Sequence, residues 1–527
     1  MGRRVACPAG TTLLDCCRNN QIPLASTCGG QGKCHSCKLR IEQGDVTLPT
    51  RNELKKLSLE ELKRGWRLAC QVKPAGNLVV NLPGGTDLSP TPAFKEDLLS
   101  GIAPDAERGR LRKGPGVAID LGTTKIAGYL LNLADGTILG SHAMANLQSV
   151  YGDDVISRIT YALKSSENSK RLQQTAISTM NGLIVELCSG AAVEAGDIVK
   201  LAVCGNTAMH HLALGLPVKQ LASAPYLPAV KDAVEVKAGA LGLEVSPATP
   251  LYFLPNIGGY VGGDHVAVLL AVDALKLKGA ALVIDIGTNT EISLVQNGKI
   301  TSVSCASGPA FEGGHIGHGM KAGPGAIDKI NIRNSSVKYR TINGPRPVGI
   351  CGSGILDAVA EMLKAGIIDG GGRMVKDHPL LRRNEGQIKM IIAAKGETAG
   401  DTDIVITQGD VRELQLAKAA IRTGIDVLLD SHSLAASDIN KVIIAGTFGS
   451  YISVRSAVAI GMLPALPAGR FSQVGNAAGA GACMALLSAA ERKKAQSMAQ
   501  SVKYLELAER PDFMGLFVSA LHIGKKL

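Results

Sequence analysis

The stretch GAALVIDIGTNTEISLV, residues 279–295, decides the fold. Its small and β-branched residues predict a buried strand that ends on the carboxylate of Asp285 and turns at Gly287, and a second apolar run predicts the returning strand of a hairpin. The tip sets backbone N–H groups and hydroxyl or amide side chains beside one acid, which suits a polyphosphate with a hydrated Mg²⁺. An Asp that only satisfies turn amides would give the same pattern, so a single copy leaves both interpretations open. The candidate nucleotide ligands on this tip are Gly287, Thr288, Asn289 and Thr290.

A second copy of this pattern lies earlier in the chain. GVAIDLGTTKIAGYLL, residues 116–131, repeats the apolar strand, the terminal acid, the glycine turn and the returning strand. Asp120 is the counterpart of Asp285, and both carboxylates are predicted to hold water bound to the metal ion. The repeat indicates two related lobes, each offering a phosphate loop to one cleft. The candidate ligands on the earlier tip are Gly122, Thr123 and Thr124.

A third strand runs into another turn of small residues. KVIIAGTFGSYI, residues 441–452, gives the candidate ligands Gly446, Thr447 and Gly449. The three motifs in this order resemble the nucleotide-binding core shared by acetate and sugar kinases, heat-shock chaperones and actin. The resemblance implies a two-lobed α/β ribonuclease-H-like core that binds ATP and Mg²⁺, with lobes at residues 115–275 and 276–527. The second lobe would include a C-terminal closing segment.

Length and composition agree with a large α/β protein. A chain of 527 residues exceeds one hydrophobic core, and 62 glycines with only 3% aromatic residues favour layers packed through small side chains. Asp273, Lys276 and Lys278 interrupt the longest apolar run before it reaches membrane length, and no export signal follows the N-terminal arginines. We therefore expect a cytoplasmic protein that does not contact a membrane. Twelve cysteines in such a chain indicate ligands and buried thiols, not disulfides.

The cysteines concentrate near the start of the sequence. In CGGQGKCHSC, five residues separate the first two cysteines and two separate the next pair, and a further cysteine follows after a long gap. Three thiolates on one glycine-rich loop and a fourth from afar are typical of a [2Fe–2S] cluster, whereas zinc, the alternative, usually takes two close pairs. The predicted ligands are Cys28, Cys34, Cys37 and Cys70.

Residues 1–85 resemble a ferredoxin domain with adrenodoxin-like spacing, which implies an α+β β-grasp fold. TTLLDCCRNNQI, residues 11–22, predicts a short helix that Thr11 or Thr12 caps, and another helix is expected around residues 52–62. Cys7, Cys16 and Cys17 are expected to pack in the core of this domain. Such ferredoxins usually open with a two-strand hairpin, but only residues 3–7 precede the helix here, so the first strand is absent or starts upstream.

Charge is as unevenly distributed as the cysteines. Residues 1–85 hold 13 Lys and Arg but only six Asp and Glu, so they carry +7 of the chain's +11. A basic ferredoxin surface would attract an acidic protein face, although solvated lysines without a partner are the alternative. Aromatic residues do not interleave with these charges, so we expect no nucleic acid partner. Residues 86–114 have several prolines and balanced charges, and they predict a linker.

Three further motifs border the predicted cleft or the helices behind it. NIGGYVGGDHVAVLLA, residues 256–271, places Asp264 where a glycine-rich loop enters a helix, so this carboxylate could orient the attacking water or Mg²⁺, or cap the helix. His210 and His211 are adjacent in sequence and are expected to pack, with metal binding as the alternative. The glycine-rich segments 306–327 and 349–363 are expected to bring backbone close to nucleotide or to the lobe interface, and residues 474–487 predict a tightly crossing helix.

A ferredoxin domain joined to this core resembles the ATP-dependent reductive activators of corrinoid proteins. CGNTAMHH, PNIGGYVGGDH, SGPAFEGGHI and IIAGTFGSYI occur in the family's order. The resemblance implies an enzyme that reduces Co(II) to Co(I) in a corrinoid protein of a methyl-transfer system, with electrons from an upstream donor protein. Methanogen activators carry clustered C-terminal cysteines for [4Fe–4S] centres, whereas this chain has only Cys483 there, which indicates the single-cluster type.

Two other functions stay open at this point. A small-molecule kinase with a redox-sensing ferredoxin domain would use the same cleft, and an electron-transfer subunit of another redox enzyme would need the cluster without ATP. The oligomeric state, a homodimer included, is also undecided.

Overall fold

The structure is a computed structural model that describes residues 4–20, 22, 24, 26, 30–32, 37–82, 93–105, 114–375, 377–384, 387–400 and 402–524. The chain forms two compact units. One comprises Met1–Asp87, Ala103–Asp264 and Ala485–Ala489, and the other comprises Leu88–Ile102, His265–Met484 and Ala490–Leu527. Within the described residues, no helix is both long and apolar enough to cross a membrane.

The cysteine-rich domain is a small α+β fold. Its elements are α1 (Leu13–Asn19), β1 (Lys38–Gln43), α2 (Arg51–Lys56), α3 (Leu59–Lys63), β2 (Trp66–Leu68) and β3 (Val79–Asn81). The strands pair antiparallel in the order β2-β1-β3. The side chain of Thr12 accepts a hydrogen bond from the N–H of Asp15 at 3.1 Å, which confirms the predicted cap of α1. Leu14, Leu39 and Leu68 form the centre of the core, and none of the described residues before α1 is in a strand.

The helix expected around residues 52–62 is two short helices, and this prediction was wrong in its continuity. Leu57 is extended, and Ser58 starts a new capping box in which Glu61 bonds back to its N–H. A buried ion pair fixes the first of them. Both carboxylate oxygens of Glu53 accept hydrogen bonds from Arg67, at 2.9 and 3.0 Å, so α2 is joined to the strand that leads to Cys70.

The first lobe is a six-stranded mixed sheet with helices packed on it. Its elements are β4 (Pro115–Leu121), β5 (Lys125–Asn132), β6 (Ile138–Ala145), α4 (Val155–Ala162), α5 (Ser166–Ala191), β7 (Lys200–Gly205), α6 (Thr207–Leu214), β8 (Val234–Lys237), α7 (Ala238–Leu241) and β9 (Pro250–Phe253). The strand order is β6-β5-β4-β7-β9-β8, in which β4 pairs antiparallel with β5 and parallel with β7. The first predicted hairpin is therefore confirmed, and it lies at the centre of the sheet.

The second lobe repeats this arrangement and adds two small sheets. Its elements follow α8 (Gly263–Ala271) and are β10 (Ala280–Ile286), β11 (Thr290–Gln296), β12 (Lys299–Cys305), β13 (Ala326–Arg333), β14 (Ser336–Thr341), β15 (Gly349–Ile350), α9 (Gly352–Lys364), β16 (Leu381–Asn384), β17 (Gln387–Ala393), β18 (Ile404–Thr407), α10 (Gln408–Ser431), β19 (Ile439–Ala445), α11 (Val454–Ala459), β20 (Phe471–Gly475), α12 (Ala477–Leu487), α13 (Ala489–Ser501), β21 (Lys503–Tyr504) and α14 (Phe513–Ala520). The main sheet has the order β20-β19-β10-β11-β12-β21, with β10 antiparallel to β11 and parallel to β19. In both lobes, the first strand of the hairpin therefore pairs antiparallel with the next strand and parallel with a later one, which confirms the predicted internal repeat.

Glycines allow two close helix contacts in this lobe. A Cβ at Gly352, the first residue of α9, would collide with the carbonyl oxygen of Phe311. A Cβ at Gly481 would collide with the carbonyl oxygen of Ala267, so α12 crosses α8 tightly, as predicted from its small residues. Segment 349–363 was expected to approach nucleotide or the lobe interface, and at Gly352 the close approach is to the backbone of the same lobe.

Residues 93–105 of the predicted linker have local structure. In the second unit, Phe94 forms a β-bridge with Gly475, and a short 3₁₀ helix spans Glu96–Leu99. In the first unit, Asp105 accepts a hydrogen bond from the N–H of Ala489 at 2.6 Å.

Candidate functional site

The cluster loop brings two of the four predicted cysteines together. Cys37 and Cys70 are both buried, and the N–H of Ala69 donates to the carbonyl of Cys37 at 2.8 Å. Hydrogen bonds from Cys37, Gln71 and Gly32 outweigh burial and lower the pKa of the Cys70 thiol to about 6. Cysteine thiolates hold iron–sulfur clusters and hydrogen bonds to their sulfurs tune them, so Cys37 and Cys70 fit this role. Cys28 and Cys34 lie outside the described residues.

Glycine is required in this loop. Gly32 has φ +71°, and a Cβ there would lie 2.8 Å from the side-chain nitrogens of both Asn52 and Gln71. Gln71 also donates to the sulfur of Cys70 at 3.5 Å. The absence of a side chain at Gly32 therefore lets the loop approach the residues that surround Cys70.

In the first lobe, residues Gly122, Thr123 and Thr124 form the tip of the hairpin directly after β4. The side chain of Asn146 donates to the carbonyl of Gly122 at 2.9 Å, and that of Asn206 donates to the hydroxyl of Thr123 at 2.8 Å. Asp120 is half-buried and accepts a hydrogen bond from the thiol of Cys204 at 4.0 Å. The tip is thus held by side chains from two separate segments of the lobe.

The sequence did not identify Arg158 as part of this arrangement. Its guanidinium is fully buried and donates to the carbonyl oxygen of Thr123 at 2.5 Å and to that of Gly152 at 2.8 Å. Burial lowers the pKa of Arg158 to about 10, and Asp153 and Asp154 oppose that shift, so the side chain stays a cation at neutral pH. A lone Arg within the apolar helix segment VISRITYA was the available signal.

The loop that leads to Asp264 packs against Asn206, whose side chain holds the tip of the first hairpin, and against the neighbouring Thr207. A Cβ at Gly262 would lie 2.5 Å from the Cα of Asn206, and the hydroxyl of Thr207 donates to the carbonyl of Gly258 at 2.6 Å. Asp264 is half-buried in the first turn of α8. This position agrees with either of its predicted roles.

His210 and His211 pack inside the first lobe, as expected. The ring of His210 lies edge-on to Phe253, with 5.5 Å between the ring centroids, and burial lowers the pKa of His210 to about 3. The Nε2 atom of His211 accepts a hydrogen bond from the N–H of Ala229 at 3.0 Å. Both histidines therefore stabilise the lobe around α6.

In the second lobe, Asp285 and Gly446 lie at the carboxyl ends of neighbouring parallel strands. Asp285 is opposite Ala445 in the register of β10 and β19. Gly446 has φ +88°, and a Cβ there would lie 2.8 Å from a carboxylate oxygen of Asp285 and 2.5 Å from the carbonyl of Ile286. Thr447 is exposed beside it, whereas Gly449 is buried and its carbonyl accepts from Gln473 at 2.6 Å.

A second acid reaches the tip of this hairpin. The hydroxyl of Thr288 donates to the carboxylate of Glu312 at 2.5 Å. Asn289 is half-buried and its carbonyl accepts from the N–H of Gly287 at 3.1 Å, while Thr290 is buried and bonded to Ser307. Glu312 was not predicted, although the acid in SGPAFEGGHI was visible in a segment already expected near the cleft.

Together, the two lobes and the cysteine loop define a class of protein: a nucleotide-binding core of the acetate and sugar kinase, heat-shock chaperone and actin type, preceded by a [2Fe–2S] domain. Three family models match the chain. A 2Fe-2S iron-sulfur cluster binding domain covers residues 1–75, the RACo middle region covers residues 115–276, and the C-terminal ASKHA domain of RACo covers residues 279–526.

Relatives place the chain within that class. It is 38% identical over 420 residues to the corrinoid activation enzyme RamQ of Eubacterium limosum, covering 78% of this chain and 70% of RamQ. It is 26% identical over 401 residues to the "[Co(II) methylated amine-specific corrinoid protein] reductase" of Methanosarcina barkeri, covering 68% of each. A solved structure titled "Reductive activator for corrinoid,iron-sulfur protein" matches with a TM-score of 0.72 and 31% identity, covering 98% of this chain and 96% of that one. The chain belongs to the RACo family of reductive activators of corrinoid proteins.

Proposed function

We propose that the chain is an ATP-hydrolysing activator that reduces Co(II) of a corrinoid protein to Co(I). The proposal is carried by two features of one chain: the buried pair Cys37 and Cys70, and two hairpins whose central strands each place a carboxylate at the strand end. The reduction of the substrate Co(II) to Co(I) takes up one electron, and the [2Fe–2S] cluster held by the cysteine residues would supply that electron.

The thiolates of Cys28, Cys34, Cys37 and Cys70 would hold the [2Fe–2S] cluster, which supplies a one-electron carrier when bound. Gln71 donates to the sulfur of Cys70, and N–H donors of this kind stabilise the negative charge on a cluster's ligands. No flavin or nicotinamide fingerprint follows this domain in the sequence, so another protein must supply the electrons.

The carboxylates of Asp120 and Asp285 would hold water bound to Mg²⁺, because a carboxylate directly against phosphate would repel it. Asp264 would orient the attacking water. The phosphates would be held by the backbone and hydroxyl groups of Gly122, Thr123, Thr124, Gly287, Thr288, Asn289, Thr290, Gly446, Thr447 and Gly449.

ATP is needed because Co(I) of a corrinoid is harder to form than a reduced cluster. A plant-type [2Fe–2S] centre has a potential near about −400 mV. A further shortfall of ~100 mV would cost ~2.3 kcal/mol per electron. Nucleotide binding and hydrolysis can offset this cost only if they change how tightly the activator binds each cobalt state.

The proposed partner is a corrinoid protein with an acidic face. The cluster domain carries most of the net positive charge of the chain, and complementary charge speeds the encounter of two proteins. We expect this encounter to weaken as salt screens the surface charges.

One assay tests the function. Protein made anaerobically is mixed with a reductant and a corrinoid protein held as Co(II), and the visible absorption of Co(I) is followed with and without Mg-ATP. Co(I) should form only with Mg-ATP, and the Cys70→Ala variant should lose both the iron and the activity. Equal Co(I) formation without ATP would show that the protein is a simple electron carrier. Transfer of labelled phosphate from ATP to a small molecule would show that it is a kinase.

A further inference from the structure

Residues 150–154 of the first lobe contact the cluster domain. The Nε atom of Arg18, in α1, donates to the carbonyl of Val150 at 2.6 Å, and its guanidinium lies 5.9 Å from the ring centre of Tyr151. The N–H of Ser26 donates to the carboxylate of Asp153 at 3.2 Å. Since Ser26 is two residues before Cys28, this contact reaches the cluster loop itself.

Residues 150–154 also contact Arg158, whose side chain holds the tip of the first hairpin. Arg158 donates to the carbonyls of both Gly152 and Thr123, so one buried cation joins this segment to the tip predicted to bind phosphate. The charge of Asp153 acts on Arg158 while its Oδ1 atom accepts from Ser26. A single carboxylate therefore interacts with both the cluster loop and the cation behind the hairpin.

The segment between these two contacts is tightly packed. A Cβ at Gly152 would lie 2.6 Å from the Cβ of Ser157, and Tyr151 is buried. Asp154 caps α4 by accepting from the N–H of Ser157 at 2.7 Å. A displacement of the hairpin carbonyls would therefore be passed to the Arg18 and Ser26 contacts, because the backbone between them has little room to yield.

We propose that residues 150–154 are the surface of the first lobe on which the cluster domain docks, and that Arg158 is the positioning residue that couples this docking to nucleotide at the first hairpin. This inference rests on the proposed function, because it assumes that Mg-ATP binds at that hairpin. Linkage requires the effect to be reciprocal: if nucleotide changes the free energy of docking, docking changes nucleotide affinity by the same factor. The device would let ATP control when the cluster domain is free to reach a partner.

Hydrogen–deuterium exchange of the full chain, with its cluster oxidised, tests both parts. Adding Mg-ATP to the wild-type protein should change exchange in residues 13–26 and 150–154 together and in the same direction, by about fivefold or more. The Arg18→Gln variant should exchange faster than the wild type in both segments. Arg40→Gln is the matched control, because Arg40 is an exposed arginine on β1 of the same domain.

The Arg158→Lys variant separates coupling from docking. It should keep the wild-type exchange of both segments without nucleotide and lose the response to Mg-ATP. If this variant does not fold, Asp153→Asn makes the same test, since it keeps the acceptor for Ser26 but removes the charge facing Arg158, and its response to Mg-ATP should be smaller than that of the wild type.

Two results would overturn the inference alone: Arg18→Gln exchanging like Arg40→Gln, or unchanged exchange in both segments of a wild-type protein that binds Mg-ATP and forms Co(I). A wild-type protein that does not bind Mg-ATP overturns the proposed function as well.

Discussion

The two hairpins have the same backbone pattern but different surroundings. In the first lobe, nitrogen donors of Asn146 and Arg158 hold the carbonyl oxygens of the tip. In the second lobe, the hydroxyl of Thr288 donates to Glu312, and Gly446 lies against the carboxylate of Asp285. The repeated sequence therefore sets the backbone, whereas residues distant in sequence set the chemistry.

This difference assigns unequal roles to the two tips. Two carboxylates lie at the second hairpin, Asp285 at the strand end and Glu312 in contact with the tip, and carboxylate oxygens are preferred neighbours of hydrated Mg²⁺. The first hairpin has a buried cation behind it. We therefore expect the second hairpin to contribute more than the first to binding of the metal, and only the first to couple the nucleotide to the cluster domain.

The largest effect is expected at the strand-end acids. Asp120→Ala and Asp285→Ala should each lower the rate of ATP hydrolysis by at least ~10²-fold, since each removes a group that stabilises the reacting phosphate through the metal. Iron and sulfide content, measured on the same samples, should stay at the wild-type level. Hydrolysis at the wild-type rate in either variant would show that the substituted carboxylate takes no part in ATP hydrolysis.

Gly446 tests how closely the second hairpin must be packed. Gly446→Ala forces a Cβ against Asp285 and should lower kcat by about 10²-fold, because displacing a catalytic group by an ångström has an effect of this size. Gly298→Ala is the control: Gly298 also has positive φ, at +73°, but a Cβ there would meet nothing within 4 Å. The control should lower stability by only about 1 kcal/mol and leave kcat unchanged. Equal kcat in the two variants would contradict a role for packing against Asp285.

Glu312→Gln should sharpen the assignment of the metal. The amide oxygen can still accept from Thr288, but the charge is lost, so the Mg²⁺ concentration for half-maximal hydrolysis should rise about tenfold. Glu509→Gln, at an exposed position of the same unit, should leave it unchanged. If Glu312→Gln needs the same Mg²⁺ concentration as the wild type, Glu312 does not contribute to metal binding, and the two hairpins do not differ in their contribution to it.

A further effect, on stability and not on catalysis, is expected in the two lobes at low pH. Burial lowers the pKa of His210 in the first lobe and of His265 in the second to about 3, whereas both take up protons near pH 6.5 when unfolded. Their neutral form thus stabilises the fold above pH 6.5, and this contribution falls by ~1.4 kcal/mol per pH unit for each histidine between pH 6.5 and about 3. The fall in Tm over this range should be shallower in His265→Gln than in the wild type. A fall of the same slope would exclude His265 from the acid sensitivity.

The features that could be predicted from the sequence are those encoded by residues close to one another in the chain. The apolar strands ending on Asp120 and Asp285 predicted both hairpins, because a continuous apolar run and a glycine turn are properties of adjacent residues. Sequence reasoning could not find Arg158, Asn206 or Glu312, since each reaches a tip across a gap of at least 24 residues that only tertiary packing closes. The break between α2 and α3 is different, because the Ser58 and Glu61 capping box that starts α3 is a local pattern present in the sequence.

The most direct test of the account is Co(I) formation by the Asp285→Ala variant. Its cluster should be reduced to the wild-type extent and its iron content should be unchanged, yet no Co(I) should appear when Mg-ATP and a Co(II) corrinoid protein are added. Co(I) formed at the wild-type rate by this variant would show that electron transfer does not depend on nucleotide in the cleft, and would contradict the proposed function at its centre.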